Sequence, residues 1–442
     1  MRRRIVITGL GPITGFGVGI APLWEAMVQG RSAIRRIEQF DPGGFECGIA
    51  AEVRQDDFDV RKAVPRDHRK ATKVMCRDTA LAVGGAAAAL ADAGLNGADG
   101  DVAEPVIEPG RMGCHIGAGL ICADVDELCA ALWTSRDDNG DVDLNHWGHT
   151  GMTNLTPLWL LKYLPNMLAC HVTIIHDCRG PSNTITCCEA SSGLSIGESM
   201  RVIQRDAADA CLSGGAESKV NLMSMLRQTA AGRLAPTPAD QDPSTVVRPF
   251  DPDATGTVIG EGGGIIVVEA ADVAERRGAE VYAEIAGMAA TQSFCPDTLG
   301  LELDPAGAEI ADAMLLAMKQ AGVGPDDIDA VVPLGSSIPA VDRAEASAIK
   351  QVLAGRSAEV PLITTVPNTG NCNAGAGTVA VAVAANAIKT QTLPARLNTG
   401  VVEGLDAAAC PSRPAELKYV LMSQTSQGGQ NVAMVLQREG IE

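Results

Sequence analysis

Aromatic side chains and basic charge are both scarce in this sequence. Aromatic residues make up 3% of the 442 residues, so alanine, valine, leucine and isoleucine must supply most of the core. Lysine and arginine total 35 against 54 aspartates and glutamates, which leaves a net charge of −19. Because such a charge repels phosphate groups, we expect no nucleic-acid partner.

Signals for metals and membranes are missing as well. The 13 cysteines contain no CxxC pair, and their spacing fits neither a zinc site nor a disulfide framework. We therefore expect no bound metal and a reducing, cytoplasmic location. No apolar run reaches the length of about 18 residues that a membrane helix needs, so no membrane association is expected.

A GxG follows the first predicted strand, Arg4 to Thr8, as it does in dinucleotide-binding folds. The spacing departs from GxGxxG, and Pro12 removes a backbone N–H where a phosphate would need a donor. Residues 9–17 are therefore predicted to form a glycine-rich loop, and no cofactor is expected.

The chain divides into two similar halves that are rich in strand–helix units. The first half has an alanine-rich stretch that predicts one long helix over 69–93. In the second half VYAEIAGMAA, PAGAEIADAMLLAMKQAG and DIDAVVPLGSS follow one another as strand, helix and strand. We predict an α/β fold of packed sheets, with halves at 1–270 and 271–442 and an insertion at about 121–165.

The stretch TCCEASSGLSIG at 186–197 predicts a buried strand that turns sharply into a helix over Ser191 to Gln204. Such a junction often carries a nucleophilic cysteine, because a helix N-terminus lowers the pKa of a thiol and offers N–H groups to an oxyanion. Cys187 and Cys188 are predicted to lie on the strand, upstream of the turn.

Several segments together resemble the β-ketoacyl synthases of fatty acid and polyketide assembly, in order and spacing, over nearly the whole chain. They are RRRIVITGLGPITGFG, NMLACHVTI, DAADACLSGGAES, RPFDPDATGTVIGEGGGIIVVE, IPAVDRAEASAIK and NTGNCNAGAGTVAV. The resemblance implies a thiolase fold, in which two similar halves form a five-layer αβαβα sandwich. It also implies a dimer formed through a central strand.

The cysteine that the family uses as its nucleophile is missing here. Counting back from Gly193 places Ala190 at the position of that cysteine, whereas counting forward from the Gly-Pro pair at 180–181 places Glu189 there. Cys188 would reach the position only after a shift of two residues. The turn from strand to helix at 186–191 is called the elbow below. In the chain-length factors of the family the elbow reads AEQAGGLD, which is similar to CEASSGLS without a gap and favours Ala190.

The family's other catalytic groups are also replaced. In LGSSIPAVD, Leu334 takes the place of the first histidine. In VPNTGNCNAGAG, Val366 and Asn371 take the places of a lysine and of the second histidine. All six histidines lie at or before His176, so the second half contains none. SQGGQN at 426–431 replaces a gating segment that normally holds a phenylalanine, with Gln427 in its place.

The resemblance therefore implies a non-catalytic subunit of the chain-length-factor type. Such subunits pair with an active ketosynthase, here through the strand near 184–188, and they shape the tunnel that holds the growing chain. Carrier proteins of this family are acidic, as this chain is. An acyl carrier protein would therefore interact with this chain only indirectly, by docking on a more basic partner subunit. The residues expected to line the pocket or tunnel are Trp159, Leu160, Tyr163, Met167, Cys372 and Gln427.

Two alternatives stay open at the level of the sequence. The chain could form a homodimer that is retained for binding or scaffolding. It could also be an enzyme of the same fold with different chemistry, with Glu189 as a general base if burial raised its pKa. Cys188 and Cys372 are further candidates for such chemistry, although packing of a small buried residue is the favoured explanation of both.

Overall fold

The computed structural model describes residues 3–95, 106–295 and 303–441. Within these ranges the strands are β1 Ile5–Thr14, β2 Gly17–Val18, β3 Ile34–Arg36, β4 Ile49–Ala51, β5 Met112–Gly117, β6 Ser182–Ile185, β7 Ala210–Glu217, β8 Gly262–Ala270, β9 Ala283–Gln292, β10 Ala330–Val332, β11 Thr392–Leu393, β12 Arg413–Pro414, β13 Tyr419–Thr425 and β14 Gln430–Gln437.

The α-helices in the same ranges are α1 Ile20–Gln29, α2 Val60–Ala63, α3 Arg77–Asp92, α4 Val125–Trp133, α5 Leu144–His149, α6 Met167–His176, α7 Ser191–Gln204, α8 Leu222–Ala230, α9 Ala271–Arg276, α10 Ala308–Ala321, α11 Pro339–Val352, α12 Val366–Thr369 and α13 Ala376–Thr390. The 3-10 helices cover Arg66–Val74, Pro109–Arg111, Gly151–Asn154, Trp159–Tyr163, Cys188–Ala190, Pro243–Thr245, Pro325–Asp327 and Asn373–Gly375.

The main strands form one continuous path in the order β10-β13-β14-β9-β1-β8-β7-β5-β6. Strand β1 joins the two halves, because it pairs with β8 along most of its length and with β9 over a short stretch. Strand β6 pairs with β5 and lies at the end of the path, so its other edge has no strand beside it in the described part of this chain. An edge of this kind can pair with a second chain.

The path folds into two sheets: the first contains β1, β8, β7, β5 and β6, and the second contains β9, β14, β13 and β10. Helices cover both sheets and also separate them, which confirms the expected five-layer αβαβα sandwich. On the outside of the first sheet, α3 packs on β1, β7 and β8, and α6 packs on β5. In the middle layer, α7 and α13 contact strands of both sheets. Helix α10 covers β9, β13 and β14 on the far side, with α11 packed beside it. Since each sheet is covered on both faces, its strands read as nearly continuous runs of small and apolar residues.

The glycine-rich start of β8 allows the middle layer to approach the first sheet closely. Gly263 has φ of +126°, and a Cβ atom there would lie 2.2 Å from the carbonyl oxygen of Gly215 and 2.6 Å from the Cα of Gly375. Only glycine accommodates both this backbone conformation and this contact. The close approach brings the 3-10 helix Asn373–Gly375 against the ends of β7 and β8, next to the elbow before α7.

Three local predictions were wrong. The predicted loop at 9–17 is mostly strand, because β1 continues to Thr14 and pairs with β8 as far as Ile13. The predicted helix at 69–93 is a 3-10 helix that ends at Val74 and a separate α3, since the extended Cys76 caps the start of α3. Cys187 and Cys188 lie beyond the end of β6, in the turn itself. Among the described residues, no helix is both long enough and apolar enough to cross a membrane.

Candidate functional site

The junction between β6 and α7 is a tight, strained turn. Cys188 has φ of +45°, in the left-handed region that non-glycine residues rarely adopt, and the 3-10 helix Cys188–Ala190 leads directly into α7. The buried Ser191 hydroxyl accepts from the Cys187 N–H at 2.8 Å and donates to the Cys188 carbonyl at 2.7 Å. Strain of this kind persists only where the surrounding contacts hold it, and it is common at functional sites.

The carboxylate of Glu189 is the group on which the turn's polar contacts converge. Its side chain is 1% exposed. Oε1 accepts from the Arg233 guanidinium and, at 3.2 Å, from the Asn371 amide. Oε2 accepts from the backbone N–H of Gln427 at 3.2 Å. The structure thus brings together Glu189, Asn371 and Gln427, three of the residues that the sequence singled out.

A second ion pair lies beside the first. Lys219 Nζ lies 3.1 Å from both Glu217 Oε1 and Asn373 Oδ1, and Glu217 Oε2 accepts from the backbone N–H of Ala374 at 2.9 Å. All of these side chains are buried. Sequence reasoning missed Arg233, Lys219 and Glu217. The signal that could have identified Arg233 is its place as an isolated arginine among small residues, in AAGRLAP.

These neighbours determine the protonation of Glu189. Burial by itself would raise its pKa, but Arg233, Lys219 and the Asn371 amide outweigh burial and hold the pKa of this carboxyl below its usual value. Lys219 stays protonated as well, because the attraction of Glu217 and Glu189 outweighs burial and raises its pKa. The two carboxylates and two cations therefore form a compact, neutral group. Burial thus does not make Glu189 a stronger base.

Neither candidate cysteine has the environment of a nucleophile. Burial and the adjacent Glu189 carboxylate raise the pKa of the Cys188 thiol to about 11. Burial raises the pKa of the Cys372 thiol to about 12, and its Sγ points at the carbonyl oxygens of Thr369 and Gly370 at 3.8 Å. Both thiols are protonated at neutral pH, and a thiol is a poor nucleophile in that state.

The other residues predicted to replace catalytic groups are core residues. Ala190 is fully buried in the apolar cluster between the two sheets, behind Glu189 in the turn. Leu334 follows β10 and packs in the apolar cluster around α10 and α11, with its backbone N–H bound to Glu345 at 2.8 Å. Val366 starts α12 and packs with Ile259 and Val247. Of the two positions that the sequence left open, only Glu189 has a side chain that meets Asn371.

A cavity of about 450 Å³ lies near the end of β7. It is lined by Gln39, Phe40, Met75, Cys76, Arg77, Asp78, Cys122, Ala123, Asp124, Val125, Asp126, Lys162, Tyr163, Ser218, Val220, Asn221 and Leu222. Of the six residues predicted for the pocket or tunnel, Tyr163 lines this cavity, and its hydroxyl donates to Glu127 Oε2 at 2.7 Å. Glu189 and Cys188 do not line the cavity.

The remaining predicted pocket residues divide between surface, interior and the elbow. Trp159 and Met167 are half-buried, with the Trp159 ring 5.2 Å from that of Tyr163. Leu160 is 60% exposed on the surface of this chain. Cys372 is buried in the apolar cluster between the sheets. Gln427 lies at the elbow, where its backbone meets Glu189.

The segment that precedes β6 in the chain, together with α8, exposes many large apolar side chains. Large side chains exposed in the region 120–174 and on α8 are Leu120, Leu132, Trp133, Val142, Leu144, Met152, Leu158, Leu160, Leu161, Ile174, Leu222 and Leu226. Exposed apolar side chains in this number are typical of a surface that binds another molecule.

The elbow holds a fixed anion. A carboxylate bound by an arginine, an amide and a backbone N–H is a stabilised ion rather than a reactive one. All histidines lie at or before His176, and none contacts Glu189. Among the residues that the structure describes, no three His, Cys, Asp or Glu side chains are placed to hold a metal ion.

Comparison with known proteins adds independent findings. The family model described as the β-ketoacyl synthase N-terminal domain matches residues 2–274, and the model of the C-terminal domain matches residues 282–400. A 3-oxoacyl-[acyl-carrier-protein] synthase 2 from Coxiella burnetii is 30% identical over 99% of both chains. A putative polyketide β-ketoacyl synthase 1 from Streptomyces halstedii is 31% identical over 99% of this chain and 98% of its own.

Solved structures agree with these matches. The ishigamide ketosynthase/chain length factor superposes with a TM-score of 0.81 at 26% identity and covers 100% of both chains. A β-ketoacyl synthase from Burkholderia phymatum STM815 superposes with a TM-score of 0.82 at 26% identity, over 99% of this chain and 100% of that one.

Proposed function

Because the chain belongs to the β-ketoacyl synthase family, we propose that it is a non-catalytic member that pairs with an active ketosynthase and shapes the tunnel for the growing chain. This is the role of a chain-length factor in a type II polyketide or fatty-acid-like system. One observation carries the proposal most directly. The elbow, at which the family carries its reactive thiol, holds here the apolar Ala190 and the ion-paired carboxylate of Glu189.

The loss of chemistry extends beyond one residue. The side-chain amide of Asn371 donates to Glu189, and Leu334 is an apolar core residue. Neither residue therefore supplies a hydrogen-bond donor to a decarboxylating group. Removing a nucleophile or its partners each costs orders of magnitude in rate. A chain that lacks all of them has no route to condensation through the family's mechanism.

The unpaired edge of β6 and the exposed apolar side chains of 120–174 and α8 both support pairing with a second chain. An unpaired edge strand gives main-chain donors and acceptors, and the apolar surface of 120–174 and α8 gives burial. Trp133 is 70% exposed and Leu160 is 60% exposed, which is costly for a chain that works alone. The structural similarity to a ketosynthase/chain length factor favours an active ketosynthase as the partner.

A homodimer could cover the same surface, so the proposal is tested by competition. The chain would be co-expressed with a differently tagged ketosynthase that is encoded beside it and keeps the cysteine and both histidines. We expect both chains to purify together in equal amounts. A chain that remains a homodimer with every such partner would refute the proposal and favour the scaffold.

A pair of matched substitutions distinguishes disruption of the dimer interface, called the seam here, from general effects of a new surface charge. Leu160→Asp should abolish copurification, because a charge would be buried without a partner. Val401→Asp places the same charge at a residue that is 90% exposed and lies outside the 120–174 surface, and it should leave pairing intact. If both variants pair normally, the seam lies elsewhere.

The repurposed-enzyme alternative makes a different prediction. Incubation with acyl- and malonyl-carrier protein, followed by intact mass measurement, should show no acyl adduct on this chain. An adduct on Cys188, Cys372 or Glu189 would overturn the non-catalytic assignment even if the heterodimer forms.

A further inference from the structure

We infer that the elbow is an anion site that the chain fills with its own Glu189 carboxylate, and that this carboxylate holds the loop at 426–429 in place. The inference concerns the interior of this chain and does not depend on the proposed pairing. It rests on the contacts of Glu189, on the buried state of Arg233 and on the charges around them.

The contacts are those of a bound carboxylate. Glu189 receives a guanidinium, a side-chain amide and a backbone N–H, each from a different part of the chain. It also lies two residues before Ser191, the first residue of α7, and the N-terminal end of a helix favours negative charge. A small free carboxylate would choose the same donors.

Arg233 gives the second, independent observation. Its side chain is 2% exposed, and its Nε and Nη1 atoms have no hydrogen-bond partner among the described residues. A buried guanidinium normally satisfies most of its donors. Here the Glu189 carboxylate is the one charge of opposite sign paired with it.

The charge balance shows what removal of Glu189 would do. Arg233 and Lys219 contribute two positive charges, and Glu189 and Glu217 contribute two negative charges, so the group is neutral. Without Glu189 one buried positive charge is uncompensated, which is strongly unfavourable. An external anion of the right size would then be drawn into the vacated space.

The same carboxylate fixes the loop after β13. Gln427 N–H is bound to Glu189 Oε2, and within the loop the Gly429 N–H donates to the Ser426 carbonyl at 2.9 Å. Gln427 itself is half-exposed and Gly428 is exposed, so few apolar contacts hold this turn. Gln292 Nε2 donates to the Gly428 carbonyl at 2.8 Å and the Ser293 N–H donates to the Gly429 carbonyl at 2.7 Å, so one side of the turn is tied to the end of β9. The link to Glu189 anchors the other side, at Gln427.

The test is chemical rescue of Glu189→Ala in the full-length protein. The atoms removed beyond Cβ are those of one acetate ion, so acetate is the probe. We expect Tm to fall by about 3–5 °C on substitution, and hydrogen exchange at the Gln427 amide to become about tenfold faster or more. Acetate should restore both saturably, while the neutral isostere acetamide should restore neither.

Controls distinguish a specific site from a general salt effect. In Glu189→Ala/Arg233→Met no cation is left uncompensated, so acetate should have no effect. Glu189→Gln keeps the shape and one acceptor oxygen, so Gln427 should exchange at nearly the normal rate although Tm falls. If Glu189→Ala does not fold in plain buffer, its refolding yield in acetate against acetamide gives the same comparison.

Two results would overturn the inference. One is equal stabilisation of the wild-type protein and Glu189→Ala by acetate. The other is unchanged exchange at Gln427 in Glu189→Ala. Neither result bears on pairing, which is measured by copurification, so failure of this inference and failure of the proposed function are distinguishable.

Discussion

The reactivity of Cys188 is the sharpest test of the elbow's chemistry. Burial and Glu189 raise the pKa of this thiol to about 11. At pH 7.5 a thiol with that pKa is about 300-fold less ionised than a free cysteine of pKa about 8.5. The higher pKa makes each thiolate about tenfold more nucleophilic. Alkylation should therefore be about 30-fold slower than for a free cysteine peptide.

The assay is alkylation by iodoacetamide, with the modified fraction of Cys188 read by peptide mass spectrometry at a series of times and pH values. We expect the rate constant to rise about tenfold per pH unit up to about pH 10, since only the thiolate reacts. A free cysteine peptide in the same tube calibrates the reagent. Cys188→Ser identifies the peptide and gives the background.

A plateau below about pH 8.5 would refute the reasoning, because it would mean that the elbow stabilises a thiolate. The same conclusion would follow from a rate at pH 7.5 that equals or exceeds that of the free peptide. Either result would revive the hypothesis of an enzyme that uses Cys188.

Three further predictions concern stability. Gly263→Ala should lower the free energy of unfolding in urea by about 3 kcal/mol or more, because its Cβ would clash with backbone atoms. The control is Gly278→Ala, which has open space around the Cβ at φ of +66° and should lose about 1–2 kcal/mol. Equal losses in the two variants would contradict the close approach at Gly263. Burial and Asp342 raise the pKa of Glu345 to about 8. The folded state thus keeps a proton that the unfolded state loses near its ordinary pKa, and this contribution to stability disappears as pH rises through 8. The Tm of Glu345→Gln should therefore fall less between pH 5 and 8.5 than that of the wild type, and parallel falls would exclude this account. Ser191→Ala removes both hydroxyl bonds in the turn and should cost about 1–3 kcal/mol in urea unfolding. The control is Ser347→Ala, which should cost nearly nothing because this half-buried helical serine has only a solvent-exposed bond, to the Arg343 carbonyl. A neutral Ser191→Ala would show that the turn is held by packing alone.

The fold could be predicted well because its signals are repeated along the chain. Strands covered on both faces must be apolar throughout, and both halves carry such strands followed by helices. Errors occurred where a local signal was read without its neighbours. The glycines after Thr8 suggested a loop, but pairing of β1 with β8 keeps that segment extended.

The site was only partly predictable. The sequence alone excluded a histidine in the second half and a cysteine at the start of α7. It left two registers for the turn and favoured Ala190. The structure places Ala190 in the core and directs the Glu189 side chain to the polar contacts, and the choice between the two registers stays a prediction. Register in a short turn depends on which side chain finds a partner, and local sequence does not contain that information.

The partners of Glu189 were decided entirely by tertiary structure. Arg233, Asn371 and Gln427 lie 44, 182 and 238 residues away along the chain. No spacing rule connects positions at such separations, because the packing of the two halves around α7 and α13 brings them together. The sequence by itself therefore determined that no histidine lies in the second half, and it predicted that the usual acyl-transfer groups are replaced. Only the folded chain decided that the Glu189 carboxylate at the elbow is buried and neutralised, because a buried charge is tolerated where long-range contacts provide its counter-charge.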